Sequence, residues 1–485
     1  VPILPEGAVM FDAASRIYPD DLDLEEPLSE SAAEVYVGRT AFKTGPPTLV
    51  GVELEWLVYD TALSPASVPA QRVQAALDGS PAACFAAGSG ARPADQPNHS
   101  GLGGRLTTEP GGQLELSSPP APLAQTLRDT AADLAAVRER LAADQLALVG
   151  YGLDPVRPPL RQSDEPRYVA MERHFDRRGR AGRLMMCSTA SVQVCLDAGT
   201  DDAEVAVRWR ALHAFVPVLV ALFANSPLLE GHPTGWRCSR QAVWSRIDPS
   251  RTRPPADVAP LGPPAKTGDP RSSYAEYAMD AEVLAVRREG RPWDAPAGLT
   301  FRGWLRGESP PELGRPRLGD LDYHLSTLFP PVRPRGHLEL RVIDAQPDDR
   351  WQLVAAVVAT LLDDPIARDA ALAATEPVAG ALPAAARLGL ADPALARAAV
   401  VVLAAAIAGM RRAALPAELI EAADRYAERY PGRGSSPADE LLAEWPDHPL
   451  HREPIAARPG PATSGAEHLV PRRRPTAAPA WEGSL

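Results

Sequence analysis

Val50-Gly51-Val52-Glu53-Leu54-Glu55-Trp56-Leu57-Val58 is the stretch from which the rest of this chain can be read. A strand turns successive side chains to opposite faces. One face then carries Val50, Val52, Leu54, Trp56 and Val58, and the other Gly51, Glu53, Glu55 and Leu57. Glu53 and Glu55 would have Cα atoms about 6.7 Å apart, close enough for their oxygens to converge on one cation or a close pair. Alone, the stretch is as compatible with one solvated face as with an ion site. Other strands have to decide.

Three of them share its pattern. Gln113–Ser117 turns Leu114 and Leu116 inward and Gln113, Glu115 and Ser117 the other way; it follows Leu106-Thr107-Thr108-Glu109 and a turn at Pro110-Gly111-Gly112. Ser188–Asp197 alternates Val192, Val194 and Leu196 with Ser191, Gln193, Cys195 and Asp197, and Gly336–Ile343 alternates Leu338, Leu340 and Val342 with His337, Glu339 and Arg341. A further strand is expected at Ala147–Tyr151. Leu123, Leu127, Ala131, Leu134, Val137 and Leu141 recur at helical spacing, and helices are expected at Asp202–Ala224 and Arg350–Leu362. His213, on the first of these two, reads as a packed or surface residue. The pattern predicts an α+β fold, a largely antiparallel sheet with one polar face and helices over its apolar face.

Composition narrows the function. Hydrophobic content of 45%, charged content of 23% and a net charge of −12 describe a globular chain and argue against nucleic acid as a main partner. Lys43 and Lys266 are the only lysines, and no Gly-Lys-Ser/Thr occurs, which excludes a P-loop. Cys84, Cys187, Cys195 and Cys238 form no CxxC, so reduced thiols and a cytoplasmic location are expected. The N-terminus has no signal-peptide pattern. The most apolar helix, Ala398 to Met410, reads as 13 residues, too short to span a bilayer.

Glu53, Glu55, Glu109, Glu115 and Glu339 could not all stay ionised on one sheet face without cations. Hard oxygen donors with one amide, Gln193, point to Mg²⁺ or Mn²⁺, and magnesium on clustered carboxylates is the apparatus of phosphoryl transfer from ATP. Arg341, on the face of Glu339, either reaches the transferred phosphoryl group or merely neutralises that carboxylate.

Gly51-Val52-Glu53-Leu54-Glu55, Glu109–Ser117, Met185–Val194 and His337-Leu338-Glu339-Leu340-Arg341 together resemble, in the same order, the motifs of the glutamate–cysteine ligases of the plant and actinobacterial type. Glu-Pro-Gly-Gly-Gln-x-Glu-Leu-Ser is the most specific of them, and the likeness runs from about residue 45 to 360. The resemblance implies a glutamine-synthetase-like sheet. It implies ATP-dependent joining of the γ-carboxylate of L-glutamate to the amine of L-cysteine through γ-glutamyl phosphate, as in the branch serving ergothioneine synthesis. It further implies metal ligands at Glu53, Glu55, Glu109, Glu115, Gln193 and Glu339, with Glu109 alternatively orienting substrate, and phosphoryl contact from Arg341. Arg167-Tyr168-Val169-Ala170-Met171 resembles a segment near the amino-acid site, which gives Arg167 and Met171 as substrate-binding residues. Ser239–Trp244, followed by Asp248 and Arg251, resembles a segment holding glutamate or its activated phosphate. Arg240 would clamp an anion there, Arg251 would join the nucleotide site, and Trp244 would be either a wall or plain core.

The expected organisation is an N-terminal arm at 1–40, a catalytic domain at 41–362, a packed helical region at 363–435 and a mostly disordered tail at 436–485. Two other readings stay open: a carboxylate–amine ligase using another amine or acid, and a magnesium-dependent phosphohydrolase or nucleotide-binding protein without ligase chemistry. No membrane partner is expected.

Overall fold

The alternation at Val50–Val58 forms a strand because one row of its side chains has an oily layer to enter. Val50, Val52, Leu54, Trp56 and Val58 are all buried in the main core. The computed structural model describes residues 28–45, 48–61, 66–78, 102–260 and 268–452, and in it this strand, β1, runs Val50–Asp60. The other strands are β2 (Arg105–Thr108), β3 (Leu114–Ser117), β4 (Leu146–Val149), β5 (Ser191–Asp197), β8 (Val332–Pro334) and β9 (His337–Asp344). A separate small ribbon pairs β6 (Leu228–Leu229) with β7 (His232–Pro233).

The large sheet has the order β2-β3-β1-β5-β9-β8, with β4 pairing the later part of β1, and every pair is antiparallel. Register sets the site: Glu55 lies opposite Glu115, Glu53 opposite Gln193, and Cys195 opposite Glu339. A bulge interrupts β5–β9, where Arg341 and Val342 together face Gln193. The extra residue lets both Val342 and Ile343 be buried and re-aims Arg341.

Helices cover the apolar face, which is the α+β arrangement expected. Leu127, Leu134, Val137 and Leu141 of Leu123–Ala143 join the core, with Asp202–Leu222 and the wholly apolar face of Trp351–Asp363. His213 is buried, its Nδ1 2.9 Å from the Trp209 carbonyl.

Several boundaries differ from expectation. The stretch before the strand expected at Ser188–Asp197 forms helices Pro166–Asp176 and Ala181–Ser188, so β5 starts at Ser191. Its arginines are paired at the surface: Arg183 with Asp176, Arg178 with Glu282, Arg180 with Glu230. Glu30–Ala41, within the expected arm, is a helix tied down by Arg302 through Glu30 and Glu34; residues 1–27 lie outside the described residues. The start of the expected disordered tail is instead ordered: Pro437–Glu444 is a helix, and Ala438, Leu441, Trp445 and Leu450 are buried. Leu441, Trp445 and Leu450 join Leu57 and Tyr59 in a second apolar layer over the end of β1, which is why they order. The alanine-rich helix runs Pro393–Arg412, 20 residues rather than 13, because Asp392 caps it early. It and Asp202–Leu222 are long and apolar enough to cross a membrane, yet 50% and 78% of their apolar windows are buried inside this fold. Cys84 lies outside the described residues; Cys187, Cys195 and Cys238 are unbridged.

Candidate active site

The polar face of the sheet gathers the predicted carboxylates into one chain of mutual influence. Glu53 is pushed up to about 8, first by burial and then by the charges of Glu339 and Glu115. Burial likewise raises Glu55, raises Glu115 with help from Glu55, and raises Glu109 well above the carboxylate range with Glu115 and Glu55 adding to it. All four keep a solvent-accessible edge, so they line a cleft rather than a closed core. The Thr107 and Ser117 hydroxyls donate to Glu115 Oε1 at 2.9 and 3.1 Å.

Glu339 differs. It is fully buried, and although burial opposes ionisation, Arg333 and Arg341 hold its carboxyl below the usual carboxylate range. Arg333 grips it with both prongs, Nε to Oε2 at 2.9 Å and Nη2 to Oε1 at 2.8 Å. Arg341 Nη1 donates to Glu339 Oε1 and to Gln193 Oε1, the latter at 2.6 Å, and Gln193 Nε2 in turn donates to Glu55 Oε1 at 2.9 Å. Arg341 therefore does neutralise Glu339, and it also ties that carboxylate to the rest of the row.

At the far end, helix Ser239–Ile247 carries Arg240 and Trp244. Ser226 Oγ accepts from the Arg240 amide at 3.1 Å and Arg240 Nη2 donates to the Arg341 carbonyl at 2.8 Å. Its Nε and Nη1, though buried, have no partner among the described residues, nor has Trp244 Nε1. Unpaired buried donors beside a cleft are costly unless a ligand accepts from them. Trp244 lies under both guanidiniums, 5.8 Å from Arg240 Cζ and 5.9 Å from Arg341 Cζ, and edge-on to Phe329. Arg167 donates to the Ser326 hydroxyl and carbonyl, each at 3.2 Å, near enough to Glu109 to oppose the rise of its carboxyl.

Glu109 and Glu115 are held by the turn between them. Gly112 N donates to the Glu109 carbonyl at 2.9 Å, and Gly112 has φ +88°, which favours glycine. Gly111 passes so close to Cys187 that a Cβ would sit 2.3 Å from its carbonyl oxygen.

Three expectations are corrected. Arg251 does not face the cleft: its Nε binds Asp248, Nη1 the Thr327 carbonyl and Nη2 the Glu282 carbonyl, so every guanidinium nitrogen has a protein partner. Met171 is buried and packs in an apolar cluster with Phe175, Leu184 and Val243. Gln113, expected on the polar face, is buried, donates to the Thr189 carbonyl and accepts from Gly111 N, anchoring the turn. Nor do the carboxylates form a ready cage. Among the described residues, the one group of three metal-capable side chains with ligand atoms within 4.8 Å of one another is His174, Asp248 and Glu282, already satisfied by Arg251 and Arg178. Along the sheet face, Glu339, Glu55 and Glu115 are instead held separately by hydrogen bonds from Arg341, Gln193 and Thr107. Arg333 escaped the sequence reading because β8 is three residues long and ends in proline; the signal was an arginine paired in a hairpin across Arg335-Gly336 from Glu339.

A carboxylate row interleaved with arginines on one face of an antiparallel sheet has the donor set of a metal-assisted group-transfer enzyme. Residues 49–459 match glutamate–cysteine ligase family 2. The chain belongs to that family and is a ligase. It is 39% identical over 438 residues to glutamate–cysteine ligase EgtA of Mycolicibacterium smegmatis, covering 86% of this chain and 95% of that one. It is also 39% identical over 446 residues to EgtA of Mycobacterium tuberculosis, covering 90% and 94%. The chloroplastic glutamate–cysteine ligase of Brassica juncea is 34% identical over 262 residues, covering 52% of this chain and 48% of that protein.

Proposed function

We propose that this ligase joins the γ-carboxylate of L-glutamate to the amine of L-cysteine at the expense of ATP, in the cytoplasm, for ergothioneine biosynthesis. The carrying observation is the single face on which Glu53, Glu55, Glu109, Glu115 and Glu339 meet Arg341, with the unpartnered donors of Arg240 at its end. The γ-carboxylate oxygen attacks the terminal phosphorus of ATP, forming γ-glutamyl phosphate and releasing ADP. The cysteine amine then attacks the acyl carbon, phosphate leaves with the acyl C–O bond pair, and the amine proton passes to solvent.

Four glutamates whose carboxyls are raised by burial and one another suit Mg²⁺ or Mn²⁺, and Glu53, Glu55, Glu109, Glu115, Glu339 and the Gln193 amide are its proposed holders. The cation would neutralise the triphosphate and bring these carboxyls to their ionised form. Arg341 meets the transferred phosphoryl group with its free donors while Glu339 fixes its direction. Arg240 Nε and Nη1 hold an acidic group of glutamate, Trp244 walls that pocket, and Arg167 binds substrate at the Glu109 end. The domain pattern follows: 41–362 carries the chemistry, and the helices after it brace the sheet.

ATP consumption with glutamate alone, cysteine alone, and both tests this. γ-Glutamylcysteine is expected only with both. Hydrolysis that ignores both amino acids, or product with another amine but not with cysteine, overturns it.

A further inference from the structure

Lys43, one of only two lysines in the chain, comes to rest beside the carboxylate face. A Cβ on Gly336 would lie 3.1 Å from its Cδ, which places its stem against the tip of the β8–β9 hairpin. The same tip carries Arg335, whose amide donates to the His337 carbonyl at 2.8 Å. Arg333 crosses to Glu339, so that face of β8 is the carboxylate face, and Arg335 continues it two residues on. The charge of Arg335 is felt by Glu339 and Cys195, and that of Lys43 by His337.

The two cations differ from Arg333 and Arg341, which both form ion pairs with Glu339. Among the described residues, neither Lys43 nor Arg335 has a side-chain hydrogen bond or an ion pair, although both are half-buried. Burial lowers the Lys43 ammonium with no carboxylate offsetting it. Two half-buried cations with no ion-pair partner of their own, next to a site that handles phosphate, are a place for an anion.

Position selects which anion. Arg335 and Arg341 lie on opposite sides of Glu339, each about 7 Å from its level along the strands, the reach of a short polyphosphate. Beyond Arg341 stand Arg240, Trp244 and Arg167, the proposed amino-acid end. The opposite end carries the positive charge of Lys43 and Arg335.

We propose that Lys43 and Arg335 clamp the diphosphate that leaves with ADP, so that the nucleotide lies over the β8–β9 tip and the amino acids over the Arg240 end. The proposal rests on the ligase reading. As the bond between the terminal phosphorus and its bridging oxygen breaks, the electron pair stays on the β-phosphate, and these two cations meet the charge that accumulates there.

Lys43→Met, Arg335→Gln and the double variant test it, with Lys43→Arg as the conservative control. Titration calorimetry with Mg²⁺ and ADP, and separately AMP, reads binding without turnover. Each loss of charge is expected to weaken ADP about tenfold and leave AMP nearly unchanged, with Lys43→Arg close to wild type. KM for ATP should rise in parallel while KM for glutamate and cysteine stays put. Wild-type ADP affinity in the folded double variant, or a KM change confined to an amino acid, overturns the clamp. Wild-type protein that binds ADP through this pair but makes no γ-glutamylcysteine would instead overturn the ligase reading alone.

Discussion

Arg333→Met is the most exacting test of how the site is built. The fork that Arg333 makes on Glu339 has both bonds under 3 Å and side chains 7% and 1% exposed, so solvent screening does not weaken it. Removing one partner of a buried pair costs about 3–5 kcal/mol because a bare charge is left behind. Here Arg341 still donates to Glu339 Oε1, so the charge is not bare and the loss should come to about 2–3 kcal/mol. Urea denaturation of Arg333→Met, Glu339→Gln and the double variant, followed by tryptophan fluorescence and far-UV circular dichroism, should show a coupling energy of about 1.5–3 kcal/mol between the two sites. Turnover should fall in step, since Glu339 also directs Arg341. A single variant within about 0.5 kcal/mol of wild type, or strict additivity in the double, refutes the claim that Arg333 holds Glu339 in place.

Other outcomes follow from the same geometry. Glu53 has a folded-state value of about 8, raised above its unfolded one, so the stability it contributes is complete below pH 4.5 and is lost as pH rises through about 8. Without divalent cations the melting temperature should therefore fall across that window. Mg²⁺ added near pH 7 should restore it and release protons into a weakly buffered solution; a flat profile without proton release would place no cation there. Gly111→Ala puts a Cβ 2.3–2.6 Å from Cys187 backbone atoms, and relieving this should cost about 1–3 kcal/mol and, by shifting Glu109 and Glu115 about 1 Å, roughly 10²-fold in kcat, with wild-type kinetics refuting it. Arg341→Lys cannot bridge Gln193 and Glu339 and still offer a fork; kcat should drop at least about 10²-fold, and an equal rate would remove Arg341 from the phosphoryl contact.

The sheet was legible because alternation is written directly in the residues: β1, β3, β5 and β9 and the polar row across them emerge from period two alone. Adjacency was not. That Glu53 faces Gln193 and Cys195 faces Glu339 depends on pairing across long sequence separations, which no local pattern encodes. Arg251 and Gln113 are polar residues in suggestive motifs, and only the folded chain shows their donors consumed by Asp248, Thr327 and Thr189. The helices after residue 165 were hidden by arginines whose partners lie elsewhere in the chain, and the ordering of Leu441, Trp445 and Leu450 by an apolar layer that begins at Leu57.

The pairing order also sets a timetable. β1 finds partners in β3 and β5, but β5 finds its second partner only in β9, so the sheet that begins with the strand carrying Glu53 is not complete until residue 344 has been made. At 5–20 residues per second a ribosome takes roughly 15–60 s to cover that interval. Through all of it, apolar rows such as Val50, Val52 and Leu54 lack part of their cover, and open strand edges invite foreign strands. A polypeptide built this way leans on chaperones during synthesis, and its soluble yield should respond more to translation speed and temperature than to its final stability.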